Sequence, residues 1–244
     1  MLLFPAVVFL HGYIQPDLYQ TTQRYDDYIN YLARNGLVVF KIDYRGHGQS
    51  EGEPTGAYYS GDYVIDAINA RASLGRLEFV NADKIGLWGH SMSGNVVMRA
   101  MAADEKMKAG VIWSGAVYSY LDMQEFGIDD NSFVRSRDIP SSFVNRSRKL
   151  FEIVGNVSPE NEFWQKVAVT NYLDQVAGAV QLHHAVDDSV VNIGYATNLA
   201  AKLMEAGVKY ELYSYNSGGH NLSSPAFGSA MSRTVEFYRD KLNN

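Results

Sequence analysis

The sequence predicts an α/β fold, with a doubly wound, mostly parallel sheet that carries helices on both faces. Apolar, β-rich runs alternate with segments of helical period along the 244 residues, and repeated β-α-β alternation is typical of a parallel sheet covered by helices. The apolar runs are also continuous, as strands buried on both faces require.

The individual elements follow in chain order. The predicted strands are short apolar runs, and they are Ala6–Leu10, Leu37–Ile42, Ile85–Gly89, Ala109–Trp113, Ala179–His183 and Tyr210–Ser214. The predicted helices show a period near 3.6 residues, and they are Thr22–Arg34, Asp62–Leu74, Ser91–Ala102, Gly194–Glu205 and Gly228–Leu242. Gly36 and Gly207 each precede a strand, where glycines commonly end a helix.

One segment, from about Tyr118 to Asn171, contains no strand-like run but carries several aromatic residues. It is too long for a simple connection, since most connections in compact domains have about 2–6 residues. We interpret it as a helical cap over the sheet. The alternative is a peripheral insertion whose aromatic residues pack on one another. Residues 1–244 are thus predicted to be a single domain with an insertion at 118–171.

The composition argues against several functional classes. The chain is 46% hydrophobic and 20% charged, which is typical of a globular protein. Its net charge is −6 and no strong Lys/Arg cluster occurs, so we expect neither nucleic acid nor an anionic membrane as a partner. Cysteine is absent, which rules out thiolate nucleophiles and cysteine-ligated metals. We expect no metal and no cofactor.

The chain opens on an apolar run, Met1–Leu10, which Pro5 interrupts. This run is too short to span a bilayer and has no basic flank. We interpret it as a buried strand and expect a cytoplasmic location.

A candidate nucleophile lies in Gly89-His90-Ser91-Met92-Ser93-Gly94, between a predicted strand and a predicted helix. A serine at such a turn is held on a strained elbow with its hydroxyl exposed. A serine hydroxyl needs an imidazole to take its proton, and the imidazole needs a carboxylate to fix its tautomer.

Both partners follow at the ends of later strands. Asp187 comes after Ala179–His183, with Asp188 as the rival acid, and His220 comes after the last strand. Ser, Asp, His is the chain order of one of the three common serine-hydrolase triads. The carboxyl ends of the strands are where open α/β sheets place their active sites. Two backbone N–H groups, those of Tyr13 and Met92, are expected to form the oxyanion hole.

Together these motifs resemble the α/β-hydrolase superfamily, in particular prolyl-oligopeptidase-type peptidases and dienelactone-hydrolase-like esterases. The resemblance covers nearly the whole chain. The matching segments are Val8–Tyr13, Asp43–Ser50, Gly89–Gly94, Asp187–Val190 and Gly219–His220. It implies that Asp187, the first aspartate of its pair, is the triad acid.

The chain departs from the family pattern at two places. Ser93 stands where the elbow usually has glycine, which is expected to tighten the turn. The chain also begins almost at the first matching strand, whereas family members usually carry one or two strands before it. We expect this second departure to affect stability and oligomeric state more than chemistry.

The remaining histidines are interpreted as structural. His11 and His47 lie beside glycines in turns, and His90 is expected to pack beside the site. His183 and His184 are adjacent on a strand, so they point to opposite faces and cannot form a paired metal site.

The predicted activity is serine hydrolysis of a carboxylic ester through an acyl-enzyme. The cap residues Phe143, Phe151 and Trp164 are candidates for binding the acyl part of a small-molecule substrate. The first alternative is a small-peptide hydrolase, with Asp129 and Asp130 as candidate anchors for a substrate amine. The resemblance favours the ester, since the related peptidases generally carry a propeller domain that this sequence does not encode. A non-catalytic binding protein is the second alternative.

Overall fold

The structure is a computed structural model that describes residues 3–58, 60–127 and 152–243. Within these residues six strands form one sheet, in which every neighbouring pair is parallel. Across the sheet they run β2 (Val38–Lys41), β1 (Phe4–Leu10), β3 (Val80–His90), β4 (Ala109–Trp113), β5 (Ala179–Ala185) and β6 (Tyr210–Tyr215). The predicted fold class is confirmed.

Helices occupy most of the connections between the strands. They are α1 (Asp26–Arg34), α2 (Asp62–Leu74), α3 (Ser93–Ala103), α4 (Tyr120–Phe126), α5 (Glu162–Val167), α6 (Gly194–Glu205) and α7 (Ala226–Asn243). Short 3₁₀ helices span Pro16–Leu18 and Val169–Gln175. None of the helices in the described residues is long and apolar enough to cross a membrane.

Both faces of the four inner strands of the sheet, β1, β3, β4 and β5, are buried over most of their length. In β1, Val8 and Leu10 join the core on the side of α2, α3 and α6, whereas Val7 and Phe9 join the core on the side of α1 and α7. Because successive side chains of a strand point to opposite faces, a continuous apolar run is what a doubly covered strand requires. The apolar character of the predicted strands therefore has a direct structural cause.

Helix α1 begins four residues later than predicted, at Asp26 rather than Thr22. Thr22, Arg24 and Tyr25 all have positive φ values, of 66°, 64° and 65°. Such values are uncommon outside glycine and cannot continue a right-handed helix. The segment before α1 is thus strained, and the hydroxyl of its last residue, Tyr25, lies 2.8 Å from Nδ1 of His90 at the carboxyl end of β3.

The described parts of the predicted insertion, residues 118–127 and 152–171, contain α4, three helical residues at 152–154, α5, the start of the second 3₁₀ helix and turns, but no strand. Helix α4 packs against α6, where the Phe126 ring lies beside Tyr195 with 5.4 Å between ring centroids. Residues 128–151 lie outside the described residues. A cap over the site stays a prediction.

Candidate active site

The elbow, residues 89–94, joins β3 to α3. Ser91 has a φ of +53°, a conformation that costs a non-glycine residue on the order of 1–3 kcal/mol. Backbone hydrogen bonds hold it there, since the Ser91 N–H donates to the Trp113 carbonyl at 2.9 Å and its carbonyl accepts from the Gly94 N–H at 2.9 Å. A Cβ at Gly89 would lie 2.7 Å from the Ser93 carbonyl oxygen, so the strand and the helix approach too closely for a larger residue.

Ser93, the departure from the family pattern, connects the elbow to a second segment. Its buried hydroxyl donates to the His11 carbonyl, and the Tyr44 hydroxyl lies 2.7 Å from Ser93 Oγ. Since the Ser93 hydrogen goes to the carbonyl, Tyr44 is the donor in the second bond. The extra hydroxyl thus ties the elbow to the turn that follows β1.

That turn, residues 11–13, is called here the oxyanion turn, and it lies directly against the elbow. A Cβ at Gly12 would lie 3.2 Å from the Ser91 Cβ and 3.0 Å from His90 Nδ1. Tyr13 and Met92, whose N–H groups are the predicted oxyanion donors, therefore belong to two segments in mutual contact. Helix α3 begins at Ser93, directly after Met92, and the dipole at a helix N-terminus favours negative charge.

His220 is held by Asp188. Its Nδ1 lies 2.9 Å from Asp188 Oδ2, and the carboxylate is fully buried while the imidazole is 17% exposed. The imidazole also lies against His90, the residue before Ser91, with 4.7 Å between ring centroids. The structure therefore brings an imidazole–carboxylate pair next to the elbow, in contact with the residue that precedes Ser91.

The prediction that Asp187 orients His220 is wrong. The Asp187 carboxylate instead accepts the N–H of Gly219 at 2.8 Å and the N–H of Gly218 at 3.3 Å. The physical reason is a turn after β5, in which the Asp188 N–H donates to the Ala185 carbonyl at 3.3 Å. Because of this turn, Asp187 lies on the exposed side, whereas the rival acid, Asp188, points back into the protein.

The Asp188 carboxylate is satisfied by several donors. Oδ1 accepts the N–H groups of Val190 and Val191 at 2.9 and 3.0 Å, and Oδ2 lies 3.3 Å from His184 Nε2. Burial by itself raises the pKa of Asp188, but the bonds from His184, His220 and the Val191 N–H outweigh it and hold the pKa well below its usual range. Asp188 is therefore an anion that can stabilise an imidazolium.

The sequence pattern does not assign His184 to the site, although its ring contacts the Asp188 carboxylate. It is fully buried, and its Nε2 also lies 2.9 Å from the Val191 carbonyl. His183 points to the opposite face, as predicted, where it contacts Gln181 and the Tyr215 hydroxyl. The signal for His184 is its spacing, since it precedes Asp188 by four residues across the turn.

His11 and His47, the two histidines interpreted as structural, lie in and beside the oxyanion turn. His11 is buried, stacks on Tyr19 with 4.6 Å between ring centroids, and has its pKa lowered to about 3 by burial. His47 is buried as well, with Nδ1 3.1 Å from the Arg45 carbonyl. Among the described residues, no group of three or more His, Cys, Asp or Glu side chains is arranged to hold a metal ion.

Of the three candidate substrate-binding residues, only Trp164 lies within the described residues. It is 2% exposed, packs on Tyr120 with 4.8 Å between ring centroids, and donates from Nε1 to the Gly155 carbonyl at 3.0 Å. This is the environment of a core residue, so its assignment to the acyl pocket is corrected. Phe143 and Phe151 lie outside the described residues, as do Asp129 and Asp130.

Comparisons with known proteins agree with this architecture. The sequence model of a family described as serine aminopeptidase, S33, matches residues 4–149. A puromycin-hydrolysing peptidase of Mycobacterium tuberculosis superposes with a TM-score of 0.77 at 20% identity, over 98% of this chain and 34% of that one. An esterase of Pyrococcus furiosus superposes with a TM-score of 0.67 at 20% identity, over 98% and 84% of the two chains.

Among curated sequences, a polyketide transferase of Penicillium crustosum is 30% identical over 99 residues, which is 41% of this chain and 32% of that protein. The chain thus matches about a third of that relative's length and of the peptidase's length. The solved structures are distant in sequence, so their likeness shows the fold.

Proposed function

Because the chain belongs to the serine aminopeptidase S33 family of α/β-hydrolases, we propose that it is a serine hydrolase with Ser91 as nucleophile, His220 as base and Asp188 as acid. The observation that carries this proposal is the buried Asp188 carboxylate on His220 Nδ1, next to the strained elbow. Backbone strain at a non-glycine residue between a strand and a helix is typical of a positioned nucleophile.

The proposed reaction is acyl transfer in two halves. Ser91 Oγ attacks the acyl carbonyl carbon while His220 Nε2 takes the hydroxyl proton, and Asp188 stabilises the imidazolium through Nδ1–H. The N–H groups of Tyr13 and Met92 donate to the oxyanion. His220 then gives its proton to the leaving oxygen. Water attacks the acyl-enzyme with His220 again as base, which releases the acid and restores Ser91.

We propose a carboxylic ester of a small molecule as the substrate. An alkoxide leaves without the full protonation and tight positioning that an amine requires. The two described carboxylates beside His220 are committed, Asp188 to the imidazole and Asp187 to the Gly218 and Gly219 N–H groups. Asp188 is fully buried, so it cannot reach the amino group of a peptide substrate, and both oxygens of Asp187 already accept backbone N–H groups.

A small-peptide hydrolase is the second candidate, favoured by the family's description and by the peptidase among the structural relatives. In that case Asp129 and Asp130 are the first residues to test as the amine anchor. A non-catalytic binding protein is less favoured, because serine, imidazole and carboxylate are all present.

The nucleophile is tested with a fluorophosphonate probe. We expect Ser91→Ala to abolish covalent labelling and turnover while circular dichroism stays unchanged. Ser232→Ala, a substitution on α7, serves as the matched control and is expected to label like the wild type. Labelling that persists on Ser91→Ala would remove Ser91 from the mechanism.

The leaving group is tested with p-nitrophenyl esters of graded chain length beside aminoacyl and dipeptidyl anilides. We expect kcat/KM for a good short ester to exceed that for any anilide by at least about a hundredfold, which is about 2.7 kcal/mol of transition-state stabilisation. Comparable efficiency on a dipeptidyl anilide would favour the peptidase instead.

A further inference from the structure

We propose that Tyr25 and His90 are a positioning pair for the reaction, which holds the oxyanion turn and the segment that carries His220 in a fixed relation to the elbow. The inference rests on the proposed function, because positioning matters only if those segments act together. The segment that carries His220, residues 217–222, is called here the base loop. Neither Tyr25 nor His90 is placed in contact with a substrate.

The proposal stands first on an unbroken chain of hydrogen bonds. The Gly12 N–H donates to the Tyr25 hydroxyl at 3.0 Å, that hydroxyl lies 2.8 Å from His90 Nδ1, and His90 Nε2 lies 2.9 Å from the His220 carbonyl oxygen. Gly12 belongs to the oxyanion turn, His90 to the elbow and His220 to the base loop. The two side chains therefore connect all three segments.

The donors and acceptors along this chain allow one consistent assignment. The His220 carbonyl can only accept, so His90 carries its hydrogen on Nε2 and accepts at Nδ1. Tyr25 then donates its hydroxyl hydrogen to Nδ1 and accepts the Gly12 N–H on its oxygen. In this assignment His90 is neutral, and every polar atom along these three hydrogen bonds has a partner. Burial, with a smaller contribution from His220, lowers the pKa of His90 to about 3, which keeps the ring neutral.

Tyr25 is held in place by packing. Its backbone lies in the left-handed region directly before α1, a conformation that costs energy and persists only where surrounding contacts hold it. Its ring packs edge-on against Phe9 and Trp88, with 5.4 and 6.0 Å between ring centroids. The hydroxyl is thus presented to Gly12 and His90 by the sheet core itself.

The oxyanion turn and the base loop both contain glycine, which restricts the backbone less than other residues do. Gly218 and Gly219 in the base loop have φ values of 144° and 60°, and Gly12 has no side chain to anchor its turn. Asp187 holds the N–H groups of the base loop, Asp188 holds the His220 ring, and His90 holds the His220 carbonyl. Since a misplacement of about 1 Å can cost a hundredfold in rate, loss of one anchor is expected to reduce turnover.

The test compares two tyrosines that each lose one hydroxyl. Tyr25→Phe keeps the ring and removes the hydroxyl that connects Gly12 to His90. Tyr238→Phe removes a buried hydroxyl that donates to the Leu87 carbonyl at 2.6 Å in the middle of β3, so it is a matched control for the loss of a structural hydrogen bond.

We expect Tyr25→Phe to lower kcat for a short ester about ten- to a hundredfold with KM little changed, and to slow fluorophosphonate labelling of Ser91 in proportion. Tyr238→Phe is expected to lower the melting temperature and to leave both rates within about twofold. If Tyr25→Phe also stays within twofold of the wild type, or if both variants lose rate in proportion to lost stability, the positioning role is wrong.

A readout that does not depend on activity accompanies these rates. In nitrogen-15 spectra of histidine-labelled protein at neutral pH, with the His90 signals assigned by His90→Gln, we expect a neutral ring with its hydrogen on Nε2. A hydrogen on Nδ1 would overturn the proposed chain. Absence of wild-type labelling at Ser91 would instead refute the proposed function, so the two failures are distinguishable.

Discussion

Asp188 can stay ionised inside the protein because protein groups replace the water it loses. Two backbone N–H groups and two imidazoles surround its oxygens, and a buried carboxylate with such partners keeps its charge at neutral pH. Asp187, one residue earlier, is exposed and accepts two N–H groups of the base loop. We therefore propose separate tasks for the two neighbouring carboxylates, one electrostatic and one conformational.

Substitution separates these tasks. We expect Asp188→Asn to lower turnover on an ester by about 10⁴, because an amide neither stabilises the imidazolium nor fixes its tautomer. Asp187→Asn is expected to cost far less, since an amide oxygen still accepts one loop N–H. Steady-state kinetics on matched preparations, with melting temperatures as the folding control, decide between them. A larger loss in Asp187→Asn would show that the contact to His220 is not the functional one.

At the scale of elements, the strands and most helices could be predicted because their signal is local and repeated. β1, with its uninterrupted apolar run, and α2, with its helical period, begin and end close to the predicted residues. The start of α1 and the choice between two aspartates could not be predicted. Each depends on single-residue conformations that distant contacts impose, such as the bond from Tyr25 to His90, 65 residues away in sequence.

The insertion after β4 offers a prediction at this scale. Trp164 is buried and hydrogen-bonded, so we expect Trp164→Ala to destabilise the protein by about 3–5 kcal/mol and to reduce activity on all esters by the same factor. Phe143→Ala and Phe151→Ala remain the test of the acyl pocket, and we expect them to change the preference among ester chain lengths at little cost in stability. Urea unfolding and a chain-length series measure both effects. A changed chain-length preference in Trp164→Ala at unchanged stability would show that Trp164 does line the acyl pocket.

Across the whole molecule, histidine is used almost entirely in the interior. Five of the six histidines are buried, and His220 is the exception. Burial lowers the pKa of His11, His90 and His183 to about 3, and it lowers the pKa of His47 as well. The sequence places these residues next to strands and turns, but their neutrality follows from packing against groups far away in the chain. Neutral buried rings can act as fixed hydrogen-bond donors and acceptors inside the protein.

This arrangement predicts a stability that depends on mild acid. The unfolded chain binds a proton at each histidine near pH 6.5, whereas the native state excludes it until about pH 3 at His11, His90 and His183. The stabilisation is therefore complete above pH 6.5 and is lost as the pH falls towards 3. Each such histidine contributes a slope of about 1.4 kcal/mol per pH unit to the free energy of unfolding. The combined slope of the three histidines is at most about 4 kcal/mol per pH unit. The lowered pKa of Asp188 adds to this loss only below about pH 4, the range in which an unfolded aspartate takes up its proton.

We expect the free energy of unfolding in urea to fall steeply between pH 6.5 and 4.5. We also expect His183→Gln, a substitution remote from the elbow, to make this slope shallower by about 1.4 kcal/mol per pH unit, the contribution of one histidine. A urea midpoint that stays constant from pH 7 to 4.5 would mean that these buried rings already carry their protons in the native state.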